Sequence, residues 1–165
     1  MKKNLTIIAS LVFILSCSIF DNKEDRPGKI PIQELMAAPD TLYIDSQPFV
    51  LRTYMWRDFQ PISPPDGKPL IAIFWVYSAD STKIPESLTA NAAWIINENK
   101  IWDTYLTGEE PPPSQQQPYQ LYEVARNGPK WGPGIEVDVV LQLQSNTDGN
   151  KHLIRASTQF IGRTD

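Results

Sequence analysis

The sequence predicts an all-β protein, an antiparallel β-sandwich of seven or eight strands. Apolar and polar residues alternate with a period of two along several segments between residues 41 and 161, as in strands with one buried face. These segments are short and are separated by turns rich in Pro and Gly, which is typical of sandwiches. The 15 prolines in 165 residues, about 9% against a typical ~5%, disfavour a bundle of helices.

Eight segments have the pattern of strands. In chain order they are residues 41–45, 48–59, 70–77, 92–97, 100–106, 119–125, 135–143 and 153–161. The segment 70–77 (LIAIFWVY) is continuously apolar, which predicts a central strand that is buried on both faces. The alternation within 153–161 places Ile154, Ala156, Thr158 and Phe160 on one face and Arg155, Ser157 and Gln159 on the other.

Short turn motifs connect these strands. Glu98-Asn99 and Asp148-Gly149 each lie between two neighbouring strand segments and predict two hairpins. Pro65-Asp66-Gly67 predicts a turn, and residues 108–118 (GEEPPPSQQQP) predict a loop rich in Pro and Gln.

Two aromatic positions resemble those of a known architecture. Trp75 lies in the predicted central strand, and Tyr119 or Tyr122 opens a later strand, as do the core Trp and the tyrosine corner of immunoglobulin-like and fibronectin-III-like sandwiches. The chain has a single Cys, so the cysteine pair of true immunoglobulin domains is missing. The expected fold is therefore an immunoglobulin-like antiparallel β-sandwich in architecture, and this resemblance implies no activity.

The first twenty residues have the pattern of a secretory signal. Lys2 and Lys3 form a positive region, and residues 5–15 form a short apolar run. A helix that spans a membrane needs about 20 apolar residues, so this run predicts a signal peptide instead.

The end of that run resembles the lipobox of bacterial lipoproteins, with the residues Ile14-Leu15-Ser16-Cys17. The resemblance implies that residues 1–16 are removed and that Cys17 carries a diacylglyceryl thioether and an N-acyl chain. Several acyl chains anchor a protein stably where one chain is marginal. Ser18 is not the aspartate that commonly retains lipoproteins in the inner membrane. The resemblance therefore favours the outer membrane, with the domain facing the periplasm or the cell surface.

The sequence divides the rest of the chain into a tether and a domain. Residues 17–40 are expected to be the lipidated N-terminus and a flexible tether, because 18–40 mix charges with Pro and Gly and carry few core residues. A short helix across residues 32–37, bounded by Pro31 and Pro39, fits within it. Residues 41–165 are expected to form the β-sandwich domain.

The charge and the reactive residues exclude several functions. The formal net charge of −4 argues against nucleic acid as a partner. His152 is the single imidazole, and there is no GxSxG nucleophile motif. Two pairs of carboxylates are candidates for acid–base hydrolysis of a glycan. The pair Glu136 and Asp138 fits the ordinary polar alternation of a strand, and the pair Glu109 and Glu110 fits a solvated loop. Residues 146–150 resemble a calcium loop only faintly because the downstream Glu is missing. The sequence therefore assigns no catalytic residue, no cofactor and no metal ligand.

Five residues are candidates for binding. Trp131 and Lys130 lie in a loop rich in Gly and Pro, where the Trp is either exposed for recognition or folded back over one end of the sandwich. Pro112 lies in a run of three prolines, either a stiff loop or a polyproline II segment for a partner. Trp56 and Arg57 form either a recognition patch or a structural clasp, in which Arg57 pairs with an acid and stacks on an aromatic ring.

These observations predict a membrane-anchored lipoprotein whose domain is a noncatalytic protein-binding module or an interaction module of an envelope complex. The alternative is a protein that binds glycans or small ligands, or a carbohydrate-active enzyme, because five Trp and six Tyr residues supply surfaces for stacking. A purely structural subunit of an envelope machine is not distinguished from the first hypothesis by the sequence.

Overall fold

The structure, a computed structural model, describes residues 27–165 of the chain. The predicted signal peptide, the lipobox and Cys17 lie outside the described residues, so lipidation stays a prediction. Within residues 27–165, no helix is both long enough and apolar enough to cross a membrane.

The described chain is built almost entirely of strands. Its elements in order are α1 (Ile32–Met36), β1 (Thr41–Ile44), β2 (Gln47–Asp58), β3 (Leu70–Ser78), β4 (Leu88–Asn97), β5 (Lys100–Tyr105), a 3-10 turn (Pro113–Gln115), β6 (Gln120–Gly128), β7 (Glu136–Ser145) and β8 (Lys151–Thr164). The predicted all-β class and the predicted number of strands are confirmed.

The eight strands form one curled, mixed sheet with the order β5-β4-β7-β8-β2-β3-β6, in which β1 pairs with β2. All pairs are antiparallel except β2 with β8, which run parallel from Met55 to Asp58 and from Ile161 to Thr164. The expectation of a wholly antiparallel sandwich is therefore wrong at this pair. The curled sheet is consistent with a sandwich of two layers, one containing β1, β2, β3 and β6 and the other β4, β5, β7 and β8. The immunoglobulin-like arrangement is not confirmed.

Strand β3 is buried on one face only, which corrects the prediction of burial on both. Buried and half-buried residues alternate along it without interruption. Phe74 and Val76 point into the core, whereas Ile73 and Trp75 lie on the outer face and are partly exposed. Apolar residues on the outer face hid the period of two from the sequence pattern.

A β-bulge in β8 corrects the predicted faces of that strand. Ser157 and Thr158 together lie opposite the one residue between Val137 and Val139 of β7. Thr158 has a φ of +56°, and the extra residue reverses the alternation beyond it. Phe160 is therefore 60% exposed, and Ile161 is fully buried in its place.

One main cluster of apolar side chains fills the space between the two layers. Its largest fully buried members are Phe49, Met55, Leu70, Phe74, Ile95, Leu141, Leu143, Ile154 and Ile161. These residues come from both layers, so the interior is a single core that the curled sheet encloses.

The segment before β1 packs on the sheet, which corrects the low core content expected for residues 18–40. The predicted helix forms as α1, and its Leu35 is fully buried in a second cluster with Trp94, Ile96 and Val140 on the outer face of β4 and β7. This contact also explains why Val140, on the outer face of β7, has no exposed surface. The segment from Ile30 to Ala38 therefore packs on the sheet.

We predict that Leu35→Ala lowers the free energy of unfolding by about 2–5 kcal/mol, the usual range for removing a buried Leu side chain. Gln33→Ala, on the exposed side of the same helix, is the matched control and should change stability little. Urea denaturation of the two variants measures the difference. Equal stabilities would contradict the docking of α1 on the sheet.

Candidate functional site: a groove beside strand β5

The curl of the sheet brings its two outermost strands, β5 and β6, together at one end. The N–H of Leu106 donates to the carbonyl of Asn91 in β4 at 3.4 Å, and the N–H of Thr107 donates to the carbonyl of Val124 in β6 at 2.9 Å. Along Lys100–Tyr105, β5 pairs with β4 and not with β6. The two strands therefore meet at Thr107, and a gap without backbone pairing between them lies beside Ile101–Tyr105.

A groove of about 530 Å³ runs along this gap. One wall consists of the five consecutive residues from Ile101 to Tyr105, and the other includes Arg126, Asn127, Pro129 and Trp131. Consecutive residues of a strand point to opposite faces, so a groove that contacts all five follows the edge of the strand and not one of its faces. We call it the edge groove.

Three aromatic side chains line the edge groove, namely Trp102, Tyr105 and Trp131. The six-membered ring of Trp102 lies over Gly128, where an added Cβ would come within 2.5 to 2.7 Å of the ring. Glycine is therefore needed at Gly128 because the indole approaches the backbone closely. Trp131 is half-buried and packs against the main core, while Tyr105 is 46% exposed. Trp131 thus covers one end of the core and also lines the groove.

Two charged side chains, Arg126 and Asp103, line the edge groove. Arg126 donates through Nε and Nη2 to the two carboxylate oxygens of Glu109 at 2.6 and 2.7 Å. The Arg126 guanidinium, with a hydrogen bond from Thr107, holds the pKa of the Glu109 carboxyl below its ordinary value. Asp103 makes no ion pair with another residue of the described chain. Arg126 is thus neutralised by Glu109, and Asp103 remains as the net charge of the lining.

Arg57 is the clasp that holds the loops at this end of the domain. Its side chain is only 4% exposed and donates to four backbone carbonyls. Nε reaches Lys68 at 3.0 Å, Nη1 reaches Lys130 at 3.1 Å and Gly132 at 2.7 Å, and Nη2 donates to Asp66. These bonds tie the loop after β2 to the loop that carries Trp131. The structural role expected for Arg57 fits this geometry.

The partners of Arg57 differ in part from those expected. The expected acid is replaced by carbonyls, and Asp58 pairs instead with Lys68 at 2.7 Å. The expected aromatic partner is present, because the Phe59 ring centroid lies 5.0 Å from the Arg57 guanidinium. Arg163 lies 4.0 Å from the centroid of the same ring.

Lys130 and Pro112 are both exposed and occupy different surroundings. Lys130 pairs with Asp66 at 2.6 Å and so adds a second link between the two loops that Arg57 joins. Pro112 precedes the 3-10 turn and does not contribute to the lining of the edge groove. The structure thus brings Trp131, Lys130 and Arg57 to one end of the domain and leaves Pro112 apart from them.

Trp56 belongs to a separate surface, the outer face of β2, β3 and β6. We call this surface the aromatic face; its rings are Tyr54, Trp56, Trp75, Tyr77 and Tyr122. The centroids of Tyr54 and Trp56 are 5.2 Å apart, and those of Trp75 and Tyr122 are 6.0 Å apart. The role of core Trp expected for Trp75 is therefore wrong, because Trp75 lies on the outer face and is partly exposed.

The candidate acid and base residues have other partners or lie apart. Asp138 accepts from Nε of Arg155 at 3.2 Å, and Nη1 of Arg155 donates to the carbonyl of Met36 at 2.6 Å, so this pair helps to hold α1. Glu136 is exposed on β7, and His152 lies at the start of β8. Among residues 27–165, no three His, Cys, Asp or Glu side chains form a group that could hold a metal ion.

Glu123 is a half-buried carboxyl on the inner face of β6, opposite the fully buried Phe74 of β3. Burial raises the pKa of this carboxyl to about 7. Its ionised form therefore disfavours the folded state at neutral pH.

Comparison of the chain with protein-family models, with curated proteins and with solved structures finds no match. The function must therefore be inferred from the site itself. Sequence reasoning missed Trp102, Tyr105 and Arg126 as site residues. The available signal was that Trp102 and Tyr105 lie close to Asp103 in one short strand. Aromatic residues are common in strands, so this signal does not distinguish a binding site from an ordinary strand.

We predict that Arg57→Lys lowers the free energy of unfolding by about 2–4 kcal/mol, because a single ammonium group cannot satisfy four fixed carbonyls. Arg52→Lys, at an exposed position of the same strand, is the matched control. Thermal and urea unfolding measure the effect. A loss no greater than that of the control would contradict the role of Arg57 as a clasp.

The raised pKa of Glu123 predicts a pH dependence of stability. The pKa of Glu123 in the folded state lies above its value of about 4.3 in the unfolded chain. The contribution of protonated Glu123 to the free energy of unfolding is therefore fully present below about pH 4.3 and is lost as the pH rises to about 7. Glu123→Gln should therefore remove this decline, with the largest gain over wild type at and above neutral pH. Urea unfolding from pH 4 to pH 8 tests this, with exposed Glu136→Gln as control. Parallel pH profiles for wild type and Glu123→Gln would contradict it.

Proposed function

We propose that this protein is a lipid-anchored binding module of the cell envelope that recognises a protein partner through the edge groove. The observation that carries the proposal is the lining of the groove, which combines Trp102, Tyr105 and Trp131 with Arg126. Trp, Tyr and Arg are the residue types that supply most of the binding energy in protein interfaces.

The loops around the edge groove are held before any partner arrives. Arg57 and the Lys130–Asp66 pair fix the loop with Trp131, and the Arg126–Glu109 pair fixes the loop after β5. Side chains and loops that are already ordered lose less entropy on binding, so more of the contact energy remains as affinity.

The anchor favours a partner near the same membrane. The lipobox resemblance makes Cys17 the lipidated residue, and Pro27 lines the edge groove. The ten residue-to-residue steps from Cys17 to Pro27 span at most about 35 Å when fully extended. The groove then lies within that distance of the lipid surface, with the outer membrane as the favoured location and the periplasm or cell surface as the space that it faces.

Site-specific crosslinking in cells tests this proposal. A photo-crosslinking residue replaces Tyr105, beside the groove, in the full-length lipidated protein, and the matched control carries it at Tyr43, which is exposed on β1. We expect the same protein to be crosslinked repeatedly from position 105 and not from position 43, and to be lost with Trp131→Ala. A Cys17→Ser form controls for membrane placement. No protein above the control, or equal recovery after Trp131→Ala, would contradict the proposal.

A second candidate function, the binding of a glycan, is favoured by the aromatic face. Tyr54 is 53% exposed, and its ring lies beside that of Trp56 on a strand face that bears further rings. A large apolar patch at a protein surface often marks an interaction site, and here one exposed ring adjoins several partly exposed ones. Titration of the Trp fluorescence with soluble cell-wall fragments distinguishes the two functions, because a change that Trp56→Ala removes supports the glycan and a flat titration contradicts it.

A further inference from the structure

This inference rests on the proposed function. We propose that the edge groove binds an extended peptide segment of the partner, which joins the sheet as an additional strand beside β5. The proposal stands on the direction of the N–H groups of β5 that do not bond to β4, on the length and walls of the groove, and on the charge of its lining. In this mode of recognition the main chain provides affinity and the alternating side chains provide specificity.

The N–H groups of β5 that do not bond to β4 point into the edge groove. Successive N–H groups of an extended strand point to opposite edges. The N–H of Leu106 bonds to β4 and that of Thr107 bonds to β6. Alternation backward along the strand therefore directs the N–H groups of Ile101, Asp103 and Tyr105 toward the groove.

The dimensions of the groove match a short extended strand. The five residues from Ile101 to Tyr105 extend over roughly 17 Å at about 3.3 Å per residue. The bond between Thr107 and Val124 closes one end of the gap and fixes how far an added strand can reach. An added strand would thus pair with the same edge of the chain with which β6 pairs at Thr107, and would extend that pairing along β5.

The side chains on the two faces of β5 indicate which side chains the peptide carries. Trp102 packs toward the main core on one face, and Trp131 also packs against this core from the other wall of the groove. Asp103 is next to Trp102 in the strand and therefore points to the other face. The fitting segment carries apolar side chains at alternate positions toward the two Trp rings and a basic side chain toward Asp103. An exposed strand edge is a known template for such pairing.

The first experiment provides a defined peptide. A library of random peptides of about twelve residues, displayed on phage, is selected against the full-length protein in detergent. Amide-resolved hydrogen exchange is then measured with and without a selected peptide. We expect exchange at Ile101, Asp103 and Tyr105 to slow by about tenfold or more. The amides of Trp102 and Thr104, which point toward β4, should change little.

A pair of variants at one position isolates the backbone donor. Asp103→Pro removes the N–H that points into the groove and leaves the pairing with β4, whereas Asp103→Ala retains it. Both variants lack the carboxylate. We expect the peptide to bind about tenfold or more weakly to Asp103→Pro than to Asp103→Ala.

Two results would overturn the proposal that a peptide strand occupies the edge groove. The first is a selected peptide that binds without slowing exchange at Ile101, Asp103 and Tyr105 and without loss in Asp103→Pro relative to Asp103→Ala. The second is a selection without any binding peptide, together with a slowing of the same amides by chitohexaose or by muropeptides. In either case, crosslinking from position 105 decides separately whether the groove is a protein-binding site at all.

Discussion

The parallel pairing of β8 with β2 is the interaction on which the arrangement of the domain depends. Strand β8 pairs with β7 as far as Phe160 and with β2 from Ile161 to Thr164. The bulge at Thr158 lies just before this change of partner, where a bulge adds bend and twist. Because one strand passes from one layer into the other, the two layers are joined along that side. The opposite side stays open between β5 and β6, and the edge groove is this opening.

The buried guanidinium of Arg57 holds the open end in a fixed shape. Burial of a charge is costly unless hydrogen bonds satisfy it, and four carbonyls do so here. The hydrogen bond from the N–H of Phe59 to the carbonyl of Thr164 extends the pairing of β2 with β8 into the same region. The strand that carries this clasp inside also presents Trp56 outside. A single strand thus supports both the edge groove and the aromatic face.

Local patterns in the sequence predicted the elements, whereas tertiary contacts decided the burial and the site. The strands follow from period-two alternation, and α1 follows from Pro31 and Pro39, because both signals are local. The bulge at Thr158 carries no local signal, so Phe160 was assigned to the wrong face. Leu35 is buried because β4 and β7 present an apolar outer face. The groove unites residues of different strands, and only the curl of the sheet brings them together.

Amide-resolved hydrogen exchange along β5 of the full-length protein, without any ligand, tests the central claim most directly. The claim is that the edge of β5 that points away from β4 faces the groove and has no strand paired with it along Ile101–Tyr105. It predicts alternating exchange, with fast exchange at Ile101, Asp103 and Tyr105 and slow exchange at Trp102 and Thr104. Uniform protection along the strand would show that both edges are already paired and would contradict the account.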